Sequence, residues 1–253
     1  MNKFGLSVLC FMIILFSISL FFIPSSVAMD LDMRLSSPSF EHILGTDSLG
    51  RDVYSRLTIG FFISLYIGAT SSLITIVLST VIALLIRGTI VDKLVITIFD
   101  GLKTIPGLLL SAILLVVFGP SLFNVQLVIV LIFMPQCLRI IRSRILIVEC
   151  QDFVVQKIAL GISKKTLLFK TILPHIKEEA IMQFSFIFSS AIILESTLSF
   201  IGAGLDMSVP SLGNIIADGR LYIYKVPIIT IAPVIIIIAL TLSFNMIFKT
   251  KEN

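Results

Sequence analysis

The chain has 253 residues, of which 57% are hydrophobic and only 13% are charged, and its formal net charge is +4. Because soluble globular proteins carry about a quarter charged residues, this composition excludes an ordinary soluble domain and indicates a membrane protein. The three cysteines, Cys10, Cys137 and Cys150, form no CxxC pair, so the sequence indicates neither a disulfide framework nor a zinc site.

A first apolar run extends from Phe4 to about Ile23. It has two interpretations, a transmembrane helix or a secretory signal peptide cleaved near Ser26-Val27-Ala28. Signal peptides have an apolar region of about 7–15 residues, whereas a spanning helix needs about 20. The length of this run favours an uncleaved first span.

Further apolar runs predict five more spans. The uncharged run between Arg56 and Arg87 is long enough for the second span. The run between Lys103 and Arg139 is too long for one crossing, and Gly119-Pro120-Ser121 predicts a tight helical hairpin, spans three and four. The last two spans are predicted at Ala180–Leu205 and Val226–Phe248.

With six spans, both termini lie on the same side of the membrane. Most of the 19 Lys and Arg residues then fall on the side of the termini, and cytoplasmic loops are enriched in these residues. The pattern therefore predicts cytoplasmic termini and an outward-facing stretch from His42 to Leu57.

That outward stretch, HILGTDSLGRDVYSRL, has two glycines followed by Arg51 and Asp52. A phosphate-binding Walker loop requires Lys and then Ser or Thr at those two positions. A calcium-binding EF-hand loop requires a later glycine and a terminal Glu. Both kinds of site are excluded, and the stretch is predicted to be a turn leading through the short segment Val53–Leu57 into the second span.

The longest inward segment is Glu149–Lys177. It is predicted to contain two short helices, the first running from an Asp152 cap to Leu160 and the second capped by Ser163 and ending before Pro174. Gly161 fits between them as a left-handed helix terminator. The segment is either a protrusion that docks a protein or a basic loop that only fixes the topology.

Four segments in order resemble the C-type permease subunits of ABC importers in the dipeptide, oligopeptide and nickel class. LGTDSLGRDVYSRL is similar to the motif before their second span, and Phe153–Pro174 to their cytosolic EAA loop. Glu195–Gly204, ESTLSFIGAG, resembles the end of their fifth span, and Pro210–Arg220, PSLGNIIADGR, their last outer loop. The resemblance covers about Ser37 to Asn245.

The resemblance implies an all-α polytopic membrane protein of about six transmembrane helices with the type I ABC importer permease fold. Residues 1–56 would form the first helix and an extracytoplasmic segment. Residues 57–248 would form the transmembrane domain, with a cytosolic coupling loop at 149–177, and residues 249–253 a cytosolic tail.

The implied function is that of a multi-pass permease subunit in the bacterial inner membrane. It would need no cofactor or nucleic acid and would not itself hydrolyse ATP. Its partners would be a second, homologous permease, two cytosolic ABC ATPase subunits and an extracytoplasmic substrate-binding protein.

The resemblance assigns two groups of residues. The outer motif would help shape the mouth or contact the binding protein; its alternative is a folded cap whose charged groups satisfy the backbone and one another, and this alternative is favoured. The coupling loop would dock on an ATPase, although Gln156 and Lys157 replace its usual paired alanines. The outer-motif residues are Gly45, Asp47, Gly50, Arg51 and Asp52, and the coupling residues are Phe153, Ala159, Leu160, Gly161, Ile172, Leu173 and Pro174.

Glu195 is predicted to lie well inside the fifth span, where a charge costs about 2.5–3.5 kcal/mol. It either lines the pathway for a cationic cargo or hydrogen-bonds a neighbouring helix or the partner permease, and the second interpretation is favoured. His42 and His175 are predicted on opposite sides of the membrane and cannot form one metal site.

Two other classes of protein remain as alternatives. An intramembrane enzyme would need a cluster such as HExxH, which the sequence lacks. A secondary transporter or channel would work without an ATPase, and often shows inverted repeats or several charges within the membrane. For an importer, the predicted cargo is nickel, another metal chelate or a short peptide. His42-Ile43 stands where peptide permeases often have His-Pro, which slightly favours nickel.

Overall fold

The computed structural model describes residues 3–20, 29–87 and 91–248. Their regular structure is helical, apart from an isolated antiparallel bridge between Thr46 and Asp52. The α-helices are α1 Lys3–Leu20, α2 Val53–Ile86, α3 Val91–Leu102, α4 Gly107–Phe118, α5 Leu122–Glu149, α6 Asp152–Ala159, α7 Lys164–Leu167, α8 Leu173–Phe200, α9 Leu212–Gly219 and α10 Ile228–Phe248.

Among the described residues, five helices are long and apolar enough to cross a membrane, and the bent pair α3–α4 makes a sixth if it counts as one span. The six-span prediction is therefore confirmed in number on that count. The predicted end of the first span at Ile23 and the Ser26-Val27-Ala28 cleavage site lie outside the described residues.

The predicted break between spans three and four is confirmed. Helix α4 ends at Phe118, Gly119 follows with a φ of +88°, and α5 begins at Leu122. The third span is not one straight helix after Lys103. The 12 residues of α4 extend only about 18 Å, and α3 precedes them at an angle of 89°. Pro106 explains the bend, since a proline disfavours helical geometry at the residue before it.

The fifth span differs from its prediction at both ends. The second short helix predicted for the segment Glu149–Lys177 does not end before Pro174. Instead α7 continues through a π-helical turn, Leu168–Ile172, into α8. Pro174 lies in the first turn of α8, where its missing N–H is tolerated next to the wider π turn. At the other end α8 stops at Phe200 rather than Leu205, because Gly202 adopts a φ of +82°.

Helix α2 is central to the packing, since it lies against both α5 and α8, while α1 packs on α10. The short helix α9 is buried between α8, α10 and α2. Gly60 allows this close approach, because a Cβ atom there would lie 2.7 Å from the carbonyl oxygen of Pro210. The fold thus places α9 directly beside the start of α2.

Candidate functional site

The outer motif folds into a compact turn before α2. Asp47 accepts hydrogen bonds from the backbone N–H groups of Leu49 and Arg51, at 2.8 and 3.0 Å. Asp52 is the N-cap of α2 and accepts from the backbone N–H of Ser55 at 2.7 Å. Gly50 has a φ of +76°, and a Cβ atom there would lie 1.6 Å from the carbonyl oxygen of Asp30, so only glycine fits.

The motif is tied to α9 by a buried network of four charges. The Asp47 carboxylate pairs with Arg51 Nε at 2.7 Å and with Arg56. The Asp218 carboxylate pairs with Arg51 Nη2 at 2.9 Å and with Arg56 Nη1 at 2.8 Å. The Arg56 side chain is only 1% exposed, so this network is part of the interior. It connects the start of α2 to the end of α9.

These contacts agree with the folded-cap alternative, in which Asp47, Arg51 and Asp52 satisfy backbone groups and one another. Arg56 and Asp218 were not among the predicted site residues, although they complete the network. The available signal was weak: two segments predicted on the same side of the membrane carry opposite charges. A role of the motif at the mouth stays a prediction.

Glu195 lies within α8, nearer its C-terminal end than predicted because α8 ends at Phe200. Its side chain is completely buried. It accepts hydrogen bonds from the hydroxyl groups of Ser199 at 2.8 Å and Ser196 at 3.4 Å, and the Ser211 side chain also interacts with it. Helices α8 and α9 of this chain therefore enclose the carboxyl group.

Helix α9 closes over Glu195 by a tight contact. A Cβ atom at Gly213 would lie 2.5 Å from the carbonyl oxygen of Ser196. The Asn214 amide donates to the carbonyl oxygens of Asp206 at 2.8 Å and Val209 at 2.9 Å, which fixes the connection from α8. Leu212, which stands where the resembled family has an aromatic residue, is fully buried.

Asp206 lies in that connection and faces solvent. Hydrogen bonds from the side chain and then the backbone of Ser208 hold the pKa of Asp206 below its usual value. The connection therefore keeps a negative charge at neutral pH and slightly below.

The coupling segment, residues 149–177, has the predicted glycine elbow. Gly161 adopts a φ of +76°, and the bonds Gly161 N–H to Ile158 O and Ile162 N–H to Lys157 O form a Schellman motif. The Ser163 hydroxyl caps α7 as predicted. The predicted cap Asp152 is wrong, since Gln151 is the N-cap and Asp152 is the first helical residue.

The coupling segment exposes apolar side chains at its tip. Leu160 is 80% exposed, and a side chain at Gly161 would meet nothing within 4 Å. Of the predicted coupling residues, Ile172 is instead buried and Leu173 half-buried, since both pack towards α5 and α8. The other exposed large apolar side chains of the segment are Phe153, Val155, Ile158 and Phe169, and Ala159 and Pro174 are also exposed.

Lys157, which replaces an alanine of the resembled family, points back into the segment. Its Nζ atom lies 3.0 Å from Thr171 Oγ1 and 5.6 Å from the ring centroid of Phe153. The Phe153 ring stacks on His175 at 5.1 Å, and His175 Nδ1 lies 2.6 Å from Thr171 O. Lys157 therefore helps to hold α6 against the π turn that precedes α8.

No group of three His, Cys, Asp or Glu side chains that could hold a metal occurs in the part of the chain that the structure describes. His42 Nδ1 lies 3.0 Å from Asp52 in the outer motif, whereas His175 lies at the start of α8 beside Thr171. The structure does not bring the two histidines together.

Residues 75–250 match the family model described as "Binding-protein-dependent transport system inner membrane component". The chain is 31% identical over 216 residues to the dipeptide transport system permease protein DppC of Alkalihalophilus pseudofirmus, covering 85% of this chain and 71% of the relative. It is 30% identical to the glutathione transport system permease protein GsiD of Pectobacterium atrosepticum, covering 86% of this chain and 73% of that protein.

A solved chain of the MetNI methionine ABC transporter, in an inward-facing conformation, has a similar fold. The TM-score is 0.57 at 17% identity, and the match covers 77% of this chain and 95% of that chain.

Proposed function

Since the chain belongs to the family of inner-membrane components of binding-protein-dependent transport systems, we propose that it forms a translocation pathway together with a second, homologous permease. The family and the type I permease fold predicted from the sequence are confirmed. The termini would lie in the cytoplasm, and an extracytoplasmic binding protein would deliver the cargo to the face that carries the outer motif. Glu195 is enclosed by α8 and α9, which supports a structural role for it.

Two separate cytosolic ATPase subunits would drive the transport, and one would bind the coupling segment. The observation that carries this assignment is the exposed apolar tip at Leu160 beside the Gly161 elbow. Apolar side chains exposed at the end of a polar, basic protrusion are typical of a protein contact. Ser163 and the Schellman motif hold the elbow in one shape, so its position follows that of α8.

Cysteine cross-linking in membranes that contain the coexpressed ATPase tests this contact. Leu160→Cys is placed in a background in which the exposed Cys10 and Cys150 are changed to serine. Leu221→Cys is the matched control, because Leu221 is similarly exposed, at 77%, and lies beside α9 at the opposite end. We expect Leu160→Cys alone to cross-link to the ATPase. A cross-link from Leu221→Cys alone would place the ATPase on the other side of the membrane.

For the cargo we propose short peptides. The relatives are named for dipeptide, peptide and glutathione transport, which supports a peptide-like cargo over the nickel slightly favoured by His42-Ile43. Nickel stays a prediction for this chain. Uptake of labelled nickel, measured beside uptake of a labelled dipeptide, separates the two cargoes.

A further inference from the structure

The bend between α3 and α4, here called the α3–α4 bend, lies across α5 at a defined level along that helix. Ion pairs fix this level: Asp92 accepts two hydrogen bonds from Arg142, at 2.6 and 2.5 Å, and Asp100 pairs with Arg139. While α3 advances from residue 92 to residue 100, its partner position on α5 changes by only three residues, or about 4.5 Å. Helix α3 therefore crosses α5 at a steep angle.

The same ion pairs place α3 at the edge of the apolar layer. From Leu122 to Leu138, α5 contains no charged residue, a length of about 25 Å that approaches the thickness of bilayer hydrocarbon. Arg139 is the first charge after this run. A helix that pairs with Arg139 and Arg142 and crosses α5 steeply is positioned as a helix on the membrane surface would be.

Helix α3 has the side-chain distribution of such a surface helix. One side, with Val95, Ile96 and Phe99, packs on the protein core, while Leu94 and Ile98 are well exposed. The two acidic groups of α3 are neutralised by arginines of α5. Lys93 and Lys103, at the two ends, are exposed and free to meet anionic groups. Apolar side chains flanked by lysines are typical of helices that rest in the headgroup region.

A pocket of about 150 Å³ opens between the α3–α4 bend and α5. Lys103 is its one charged lining residue, and the other lining residues are apolar apart from Gly107. Sites that enclose a whole small ligand usually measure about 300–1,000 Å³, so this pocket fits only part of a larger molecule. Among the apolar lining residues are Ile105, Leu110, Leu131 and Pro135.

We propose that the α3–α4 bend binds an anionic phospholipid of the adjoining leaflet. Lys103 contacts the lipid phosphate, and part of an acyl chain occupies the pocket beside Ile105. Lys93 meets a second headgroup at the other end of α3, and Leu94 and Ile98 lie among the acyl chains. This inference concerns the α3–α4 bend alone and does not depend on the cargo or on the ATPase contact.

Tryptophan fluorescence tests the proposal directly, because the chain contains no tryptophan. Ile105→Trp places a single fluorophore in the pocket, and the full chain is reconstituted into vesicles of phosphatidylcholine and phosphatidylglycerol. Val155→Trp, at an exposed position of the coupling segment, is the control. We expect lipids with brominated acyl chains to quench Ile105→Trp by more than half, and aqueous iodide to quench Val155→Trp instead.

Lys103→Gln in the Ile105→Trp chain tests the preference for anionic lipid. Quenching by brominated phosphatidylglycerol is compared with quenching by brominated phosphatidylcholine at equal fractions. One lysine near an anionic surface contributes about 1 kcal/mol, so the preference should fall about fivefold, whereas Lys170→Gln should leave it unchanged. The proposal is overturned if Lys103→Gln keeps the preference. Iodide quenching of Ile105→Trp would also overturn it, by showing that the α3–α4 bend lies in water. Protection from both quenchers would overturn it by showing that protein covers the bend.

Discussion

At the scale of single residues, Glu195 shows how burial decides between two roles. A carboxyl group that lines a cargo pathway must meet water or cargo, but this one is enclosed by α8 and α9 and hydrogen-bonded to Ser199 and Ser196. The contact between Gly213 and Ser196 leaves little room for anything else to enter. The geometry supports a side chain that joins α9 to α8.

We therefore expect Glu195→Gln to keep both stability and uptake, because the glutamine carbonyl oxygen can accept from Ser199 while its amide group donates to the hydroxyl oxygen of Ser196. Glu195→Ala should lower the stability by about 1–3 kcal/mol, since it leaves buried hydroxyl groups without their acceptor. Size-exclusion chromatography after heating, together with uptake assays, measures both quantities. Loss of uptake in a normally stable Glu195→Gln protein would show instead that the charge is used in transport.

The network of Asp47, Arg51, Arg56 and Asp218 makes a second prediction. Asp218→Asn removes one negative charge from this network. Because the Asp218 side chain is 15% exposed and both arginines keep Asp47, the cost should lie below that of breaking a fully buried ion pair, which is about 3–5 kcal/mol. Asp206→Asn is the control, because Asp206 lies nearby in sequence but faces solvent. Heating assays should show a loss of stability for Asp218→Asn only. Equal stability of the two variants would contradict a stabilising role of the network.

At the scale of elements, the elbow of the coupling segment can be separated from the rest of the fold. A non-glycine residue at the left-handed Gly161 costs about 1–2 kcal/mol, and no atom lies within 4 Å of the position of a Cβ atom. Gly161→Arg should therefore remain in the membrane but lose uptake, because the arginine would occupy the surface that we propose to dock the ATPase.

Gly119→Arg is the matched control for Gly161→Arg. Gly119 has a φ of +88° and equally open surroundings, but it lies in the turn between α4 and α5. It carries similar backbone strain without touching the coupling segment, and its uptake should persist. Normal uptake in Gly161→Arg, or equal loss in both variants, would refute the coupling role.

Local features of these elements were predictable from the sequence, and long-range ones were not. Gly161 and Ser163 act on their own turns, so the elbow followed from neighbouring residues. Pro106 marks the break before α4 locally, but the packing of α3 against α5 depends on ion pairs whose partners are 50 residues apart for Asp92 and Arg142. No local pattern reveals such pairs.

The same distinction explains the errors at the candidate site. Arg51 and Asp218 are 167 residues apart in the sequence, and only the folded chain brings them together. The passage of the helix through Pro174 depends on a π turn, which periodicity does not indicate. Glu195 lies nearer the end of α8 than predicted, because the Schellman motif around Gly202 ends α8 earlier than the apolar run suggests.

At the scale of the whole molecule, one continuous helix connects the two candidate regions. The helical segment Lys164–Phe200 has 37 residues, or about 55 Å, and runs from the coupling segment to the turn beyond Glu195. Its outer end packs against α9, which the charge network binds to α2. A displacement of the coupling segment would therefore move α8 and α9 together, as expected for a rigid-body change between two packed bundles.

The central claim is that this chain transports its cargo only within an ATPase-driven assembly. The most direct measurement is uptake of a labelled dipeptide by cells that all contain the second permease and the binding protein. In addition they carry the chain with its ATPase subunits, the chain with ATPases inactivated at their phosphate-binding lysine, or the ATPases without the chain. Uptake should occur only in the first cells. Dipeptide uptake that persists with inactive ATPases, in amounts that still depend on the chain, would contradict the claim and indicate a secondary transporter.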